Sequence, residues 1–232
     1  MSDNTKNNKT ALVIAPHHDD EVIGAGGTML YLINRGYDIK VAHVFYGSSG
    51  ITGVKTPQKS HAIRENEAKK AAKNAGYQVL PNLGFIDRNR DNDAKLQSSL
   101  IKLIRSVNPV IVFLPSKEET DYEHRLVSKE GREALWLSAS GLFPELGTTI
   151  TKIPTVFYYE VWKNISSPTI YCDITSFMGE KKAMLKVFSS QMETSGWVDG
   201  AIGLNAYRGA TTLGGGYAEV FGTEKIYIGD IL

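Results

Sequence analysis

From Ala11 to Ala15 the side chains are apolar without interruption, a pattern that suits a strand buried on both faces of a parallel sheet. The same signal recurs at Ile39–Phe45, Val79–Phe85 and Val110–Leu114, each time separated by a segment of helical character. Those segments are Thr28–Asn34 before Gly36, Ser60–Asn74 before Gly76, Leu96–Val107 before an Asn-Pro breaker, and Ser128–Ala139. Strands alternating with helices require crossover connections. The expected fold is therefore α/β, a Rossmann-like, mostly parallel sheet with helices on both faces. Beyond Gly141 the pattern weakens to strands at Thr155–Tyr159 and Thr169–Asp173, a helix at Ser176–Phe188 and a Gly-rich tail. The expected organisation is a disordered tail over residues 1–10 and one domain over 11–232, with no internal repeat.

Ligands in open parallel sheets sit beyond the carboxyl ends of the strands, and the polar clusters of this chain fall there. His17, His18, Asp19, Asp20 and Glu21 follow the first strand, Asp87 follows the third, and Asp121, Glu123 and His124 follow the fourth. Solubility does not require five imidazoles and carboxylates in one short turn. A catalytic zinc site uses three protein ligands and leaves a position for water, so His17, Asp20 and one distant histidine suffice. His124 is the best candidate for the third, because it lies past the carboxyl end of a strand, where a helix begins. Asp19, next to a ligand and not needed as one, can serve as general base. Against this stands a local account in which Asp19 and Asp20 cap the following helix and the histidines pack nearby.

Taken in order, these residues resemble the LmbE-like, or PIG-L, family of zinc-dependent N-deacetylases. The run Pro16-His17-His18-Asp19-Asp20-Glu21, then Gly24-Ala25-Gly26-Gly27, matches the family's first signature with His18 where proline is usual. Arg64 with Glu67 and Ala71, Asp87, Glu123-His124-Arg125, Tyr158-Tyr159-Glu160, Asp173 with Lys181, Ser190-Gln191, and Arg208 with Glu219 carry the likeness along the chain. The resemblance implies that His17, Asp20 and His124 ligate Zn2+, that Asp19 is the base, and that Arg64 contacts the substrate's sugar or phosphate side. A surface ion pair with Glu67 explains Arg64 equally well. Fe(II) suits the same ligands. The implied reaction is removal of an N-acetyl or related acyl group from an amino sugar, of N-acetylglucosamine type, or from a sugar conjugate. Glu21 is expected to support the turn and Glu123 to orient a ligand histidine.

One position departs from the family, where the second signature is usually His-x-Asp-His and this chain has Asp121-Tyr122-Glu123-His124. An ionised Asp121 would repel a developing oxyanion, so it is protonated, bound to substrate or uninvolved in catalysis. The loss of that histidine keeps a second reading open, a sugar- or nucleotide-binding Rossmann-like module with an inactive metal site. A dinucleotide fingerprint fails on detail, since Met29 takes the last glycine's place.

Composition narrows the partners. A formal net charge of +1 over 232 residues gives no basis for nucleic-acid binding, and no apolar run reaches the roughly 20 residues of a membrane span. The single cysteine, Cys172, closes no intrachain disulfide and fits a reducing compartment, with the cytoplasm as the expectation. A small amino-sugar substrate is the expected partner, and homo-oligomerisation is left open. Substrate choice is expected from the loops Gly47–Ser60 and Ala139–Ile153.

Overall fold

The computed structural model describes residues 9–49, 51, 56–89, 91, 93–192 and 196–224. The expected N-terminal tail lies outside them except for Lys9 and Thr10, and Thr10 already pairs with Asp38 in the sheet. In chain order the elements are β1 (Thr10–Ala15), α1 (Asp20–Asn34), β2 (Asp38–His43), α2 (Pro57–Ala75), β3 (Gln78–Val79), α3 (Asp93–Val107), β4 (Ile111–Pro115) and α4 (Tyr122–Ala139). Then follow β5 (Thr155–Tyr159), β6 (Ile170–Asp173), α5 (Met178–Val187), α6 (Ser189–Met192), α7 (Trp197–Thr212) and β7 (Ala218–Gly222).

These strands form one sheet in the order β3-β2-β1-β4-β5-β7-β6. Pairing is parallel from β3 to β5, whereas β7 runs antiparallel to both β5 and β6. Side chains along β1 alternate between the two faces: Ala11 and Val13 join a core with α1, α2 and α5, while Leu12 and Ile14 join another with α3 and α4. Both faces are thus dry, which explains the unbroken apolar run. The strand order reverses between β1 and β4, and at such a switch point the two following loops diverge and leave a crevice.

Several elements differ from the sequence reading. The helix α1 starts at Asp20 rather than Thr28, so the Gly24–Gly27 stretch is helical and not a turn. A Cβ on Gly24 would meet the Tyr159 ring at 2.3 Å, and one on Gly27 would meet Ile174 at 2.7 Å. The glycines exist for this close approach, which helical periodicity alone does not reveal. Likewise α4 starts at Tyr122 rather than Ser128, and Leu126 and Val127, ahead of the expected start, already sit in the core. The Gly-rich tail contains α7 and the interior strand β7. Of the expected third strand, Val79–Phe85, only Val79 is a ladder residue, in a two-residue β3 that begins at Gln78, with a further isolated bridge between Phe45 and Phe85.

An ion pair ties α1 to the C-terminal elements. Lys181 and Glu219 are buried, with Nζ to Oε1 at 2.6 Å. Glu219 accepts from the amides of Gly27 and Thr28, and Lys181 donates to the carbonyl of Ile23 and to Asn205. The pair therefore straddles the Gly27-to-Ile23 rung of α1, and removing either charge would strand the other in a dry interior.

Candidate metal centre and active site

The first turn after β1 is held in an unusual conformation. Asp19 has φ 122°, a region that L side chains rarely adopt and that costs on the order of 1–3 kcal/mol. Its carbonyl accepts from Val22 and Ile23 as α1 begins, and its amide donates to Glu21 Oε2. The consequence is that His17 and Asp20 face one side and His18 the other.

His17, Asp20 and His124 each bring one ligand atom within 4.8 Å of the others. Asp20 Oδ2 lies 3.4 Å from His17 Nδ1 and 3.3 Å from His124 Nε2. The far nitrogen of each ring meets a carboxylate: His17 Nε2 is 2.8 Å from Glu123 Oε2, and His124 Nδ1 is 3.5 Å from Glu119 Oε2. His124 is fully buried, and neither of its ring nitrogens has a hydrogen-bond partner of good geometry. Such orphaned nitrogens facing a carboxylate suit a bound cation, and the imidazole–carboxylate–imidazole donor set fits zinc or Fe(II). The sequence reading gave Glu123 this orienting position. It missed Glu119, whose only signal was an acidic pair directly after a buried strand. Glu119 also accepts from the amides of Val161 and Trp162, fixing the turn after β5.

The charge environment agrees. Burial works against a charge on His17 and His124, yet Asp20 and Glu123 lift His17 to about 8, and Asp20 and Glu119 lift His124 to about 10. Asp20 is buried too, and its two histidines hold it well below the usual carboxylate range. Asp19 behaves in the opposite way: burial pushes it up to about 7, with Arg64 pulling against this and the neighbouring Asp20 and Glu21 carboxylates adding to the rise.

Arg64 is buried, not a surface ion-pair partner. Its Nη2 donates to the His18 carbonyl at 2.7 Å and to Asp19 Oδ1 at 3.3 Å, while Glu67 instead accepts from Ser189 and Ser190. Arg208 pairs with Glu160 and the Ile165 carbonyl. Asp87 accepts from the amides of Gly47 and Ser49 and so shapes that loop.

Asp121 resolves the departure at the second signature. One carboxylate oxygen caps α4 by accepting from the amides of Glu123 and His124, and the other lies 2.8 Å from Arg88 Nη1. Although burial opposes ionisation, Arg88 and His124 hold Asp121 below its ordinary value. It is an ionised cap whose charge is already engaged, which removes the protonated alternative.

A cavity of about 280 Å³ opens over this centre, lined by His17, Asp19, Asp20, Ser49, Arg64, Arg88, Asp121 and Gln191, with Ile23, Val161, Trp162 and Trp197. Trp162 meets Trp197 edge to face, with centroids 4.6 Å apart, and its ring also lies against His124. Ser49 belongs to the first expected specificity loop, of which residues 50 and 52–55 are outside the described residues. The second, Ala139–Ile153, lines no part of this cavity. It follows the far end of α4, and Arg105 gathers its carbonyls at Phe143, Gly147 and Leu142. The turn after β5 and the start of α7 take its place.

A family model described as PIG-L: GlcNAc-PI de-N-acetylase matches residues 12–135, and the chain belongs to that family. The diacetylchitobiose deacetylase of Thermococcus kodakarensis is 27% identical over 82% of this chain and 72% of that protein. A 4-oxalmesaconate hydratase of Pseudomonas putida is 29% identical over 79% of this chain and 74% of its own length. Among solved structures, the N,N'-diacetylchitobiose deacetylase of Pyrococcus horikoshii is similar with a TM-score of 0.84 and 25% identity, covering 94% of this chain and 85% of that one. No described helix is long and apolar enough to cross a membrane.

Proposed function

We propose that this chain is a metal-dependent amide hydrolase that removes an N-acetyl or related acyl group from an amino sugar or sugar conjugate. The carrying observation is the convergence of His17, Asp20 and His124 on one point beside the buried, backbone-strained Asp19. The deacetylase names of two similar proteins support the same reading. Zinc is the proposed ion, held by those three residues. A divalent ion so held supplies a water of lowered pKa and a Lewis acid for the acyl carbonyl. Asp19, within the cavity and oriented by Arg64, takes the proton of the attacking water and returns it to the departing amine. Glu123 and Glu119 keep the two rings turned towards the centre. The two tryptophans present an apolar wall for a sugar face.

Acetate release from a panel of N-acetylglucosamine-type substrates, run with metal analysis, tests this. Release that needs the metal is expected; a zinc-loaded protein inert across the panel refutes it. The hydratase relative motivates one other reading, addition of the same activated water to a conjugated double bond, which loss of ultraviolet absorbance from a dienoate would reveal.

A further inference from the structure

Arg88 is a charged group of the cavity that the reaction above does not use. It sits at φ 59° in the loop between β3 and α3, next to Asp87, and its side chain is 57% exposed although it is part of the cavity wall. Its backbone amide donates to Glu123, its Nη1 pairs with Asp121 at 2.8 Å, and its Nε lies 3.6 Å from Glu123 Oε2. Glu123 and Asp121 are themselves fixed, the first against His17 and the second as the cap of α4. The guanidinium is therefore held at Nη1 by Asp121 with Glu123 beside Nε, and no described residue engages Nη2. A guanidinium has five N–H donors in a rigid plane, so one held at Nη1 and Nε presents its Nη2 donors at little further entropic cost. Arg64 also reaches this cavity, but it is buried and both of its terminal nitrogens are already committed, to Gly47, His18 and Asp19.

Where the guanidinium stands decides what it serves. Arg88 connects to the His17–Asp20–His124 centre through Glu123, which meets the His17 ring, and through Asp121, which accepts from the His124 amide. It lies beside the reacting carbonyl and not upon it, so its partner is a substituent of the substrate.

We propose that Arg88 anchors an anionic substituent, a carboxylate or phosphate on the amino sugar, and so makes this site selective for acidic sugars over neutral ones. The inference rests on the amino-sugar reading above and deepens it. Asp121, in the position where the family usually has histidine, holds the anchor in place.

The test is binding to the zinc-loaded full-length protein, measured by calorimetry with deacetylated sugars that undergo no turnover: glucosamine, glucosamine 6-phosphate and muramic acid. The phosphate and carboxylate arms separate the two anion chemistries. At least one acidic sugar is expected to bind roughly 10- to 100-fold more tightly than glucosamine, the range of one charge-assisted contact. In Arg88→Gln that advantage falls to within about twofold of unity, and Arg88→Lys retains part of it. Equal binding of all three sugars, binding of none, or an advantage that survives Arg88→Gln overturns the proposal. Acetate release from the N-acetylated forms, measured in parallel, judges the deacetylase reading separately: an acidic preference without acetate release leaves the anion site standing and refutes the hydrolase.

Discussion

His17 and His18 are neighbours in sequence, yet they belong to two different histidine groups. His17 joins Asp20 and His124 around a shared point at the floor of a cavity. His18 stacks on His43, with centroids 4.2 Å apart, and approaches His61 at 5.9 Å, all beneath the same loop. Both groups have carboxylates nearby, since Glu21 Oε2 lies 3.2 Å from His43 Nε2. What separates them is convergence. In the first group the carboxylates Glu123 and Glu119 stand behind the rings and leave the inner nitrogens directed at Asp20. In the second His18 and His43 lie face to face, and among the described residues no three donor atoms share a centre there. Residue type alone would rank the two alike; among the described residues only the first gathers three ligand atoms.

The largest effect that tests this contrast is on the metal. His124→Ala is expected to lose bound zinc and at least about 10³-fold in kcat, because water is no longer activated. His43→Phe should keep close to one equivalent of zinc. Plasma emission spectrometry of the two purified variants reads both, and equal loss from each would erase the distinction.

Next in size is Asp19, which touches both groups through the loop but ligates nothing. Asp19→Asn should retain zinc and lose roughly 10²- to 10⁴-fold in kcat, the usual contribution of a positioned proton-transfer group. Normal turnover with full metal would remove Asp19 from the chemistry. A smaller effect lies one layer out. Glu119→Gln should weaken zinc binding by about 10- to 100-fold through the orientation of His124, as measured by competition with a chromophoric chelator. Unchanged affinity would leave Glu119 with its other task, holding the Val161 and Trp162 amides.

The triad was legible in the sequence because it lies at strand ends, where an apolar run stops and chemistry begins. His17, Asp20, His124 and Asp19 all follow that rule, and the parallel half of the sheet follows from the same alternation. The supports were harder to see. Glu119 and Arg88 sit in irregular loops, where no periodicity assigns a direction to a side chain. Arg64 with Glu67 reads as a helical surface pair, and only tertiary packing shows that the two serve different partners. Gly24–Gly27 imitates a turn because a glycine chosen for close helix packing is written identically to one chosen for a positive φ. The same ambiguity hid α7 and β7 in a glycine-rich tail.

The smallest expected effect belongs to His18, and it is the sharpest check on the contrast. This ring is 1% exposed, and neither nitrogen has a hydrogen-bond partner among the described residues. Burial, with His43 and Arg64 nearby, holds its pKa far below the usual histidine value, so the buried ring is neutral. An unsatisfied buried polar group costs about 1–3 kcal/mol, whereas an apolar side chain of similar volume carries no such penalty. His18→Leu gives up ring stacking on His43 worth about 0.5–1.5 kcal/mol and removes two orphaned nitrogens. The two terms nearly cancel, so thermal unfolding should shift by no more than about 1 kcal/mol in either direction, with zinc content unchanged. A loss of several kcal/mol would mean that the ring has a polar partner, and a loss of zinc would mean that the two histidine groups act as one.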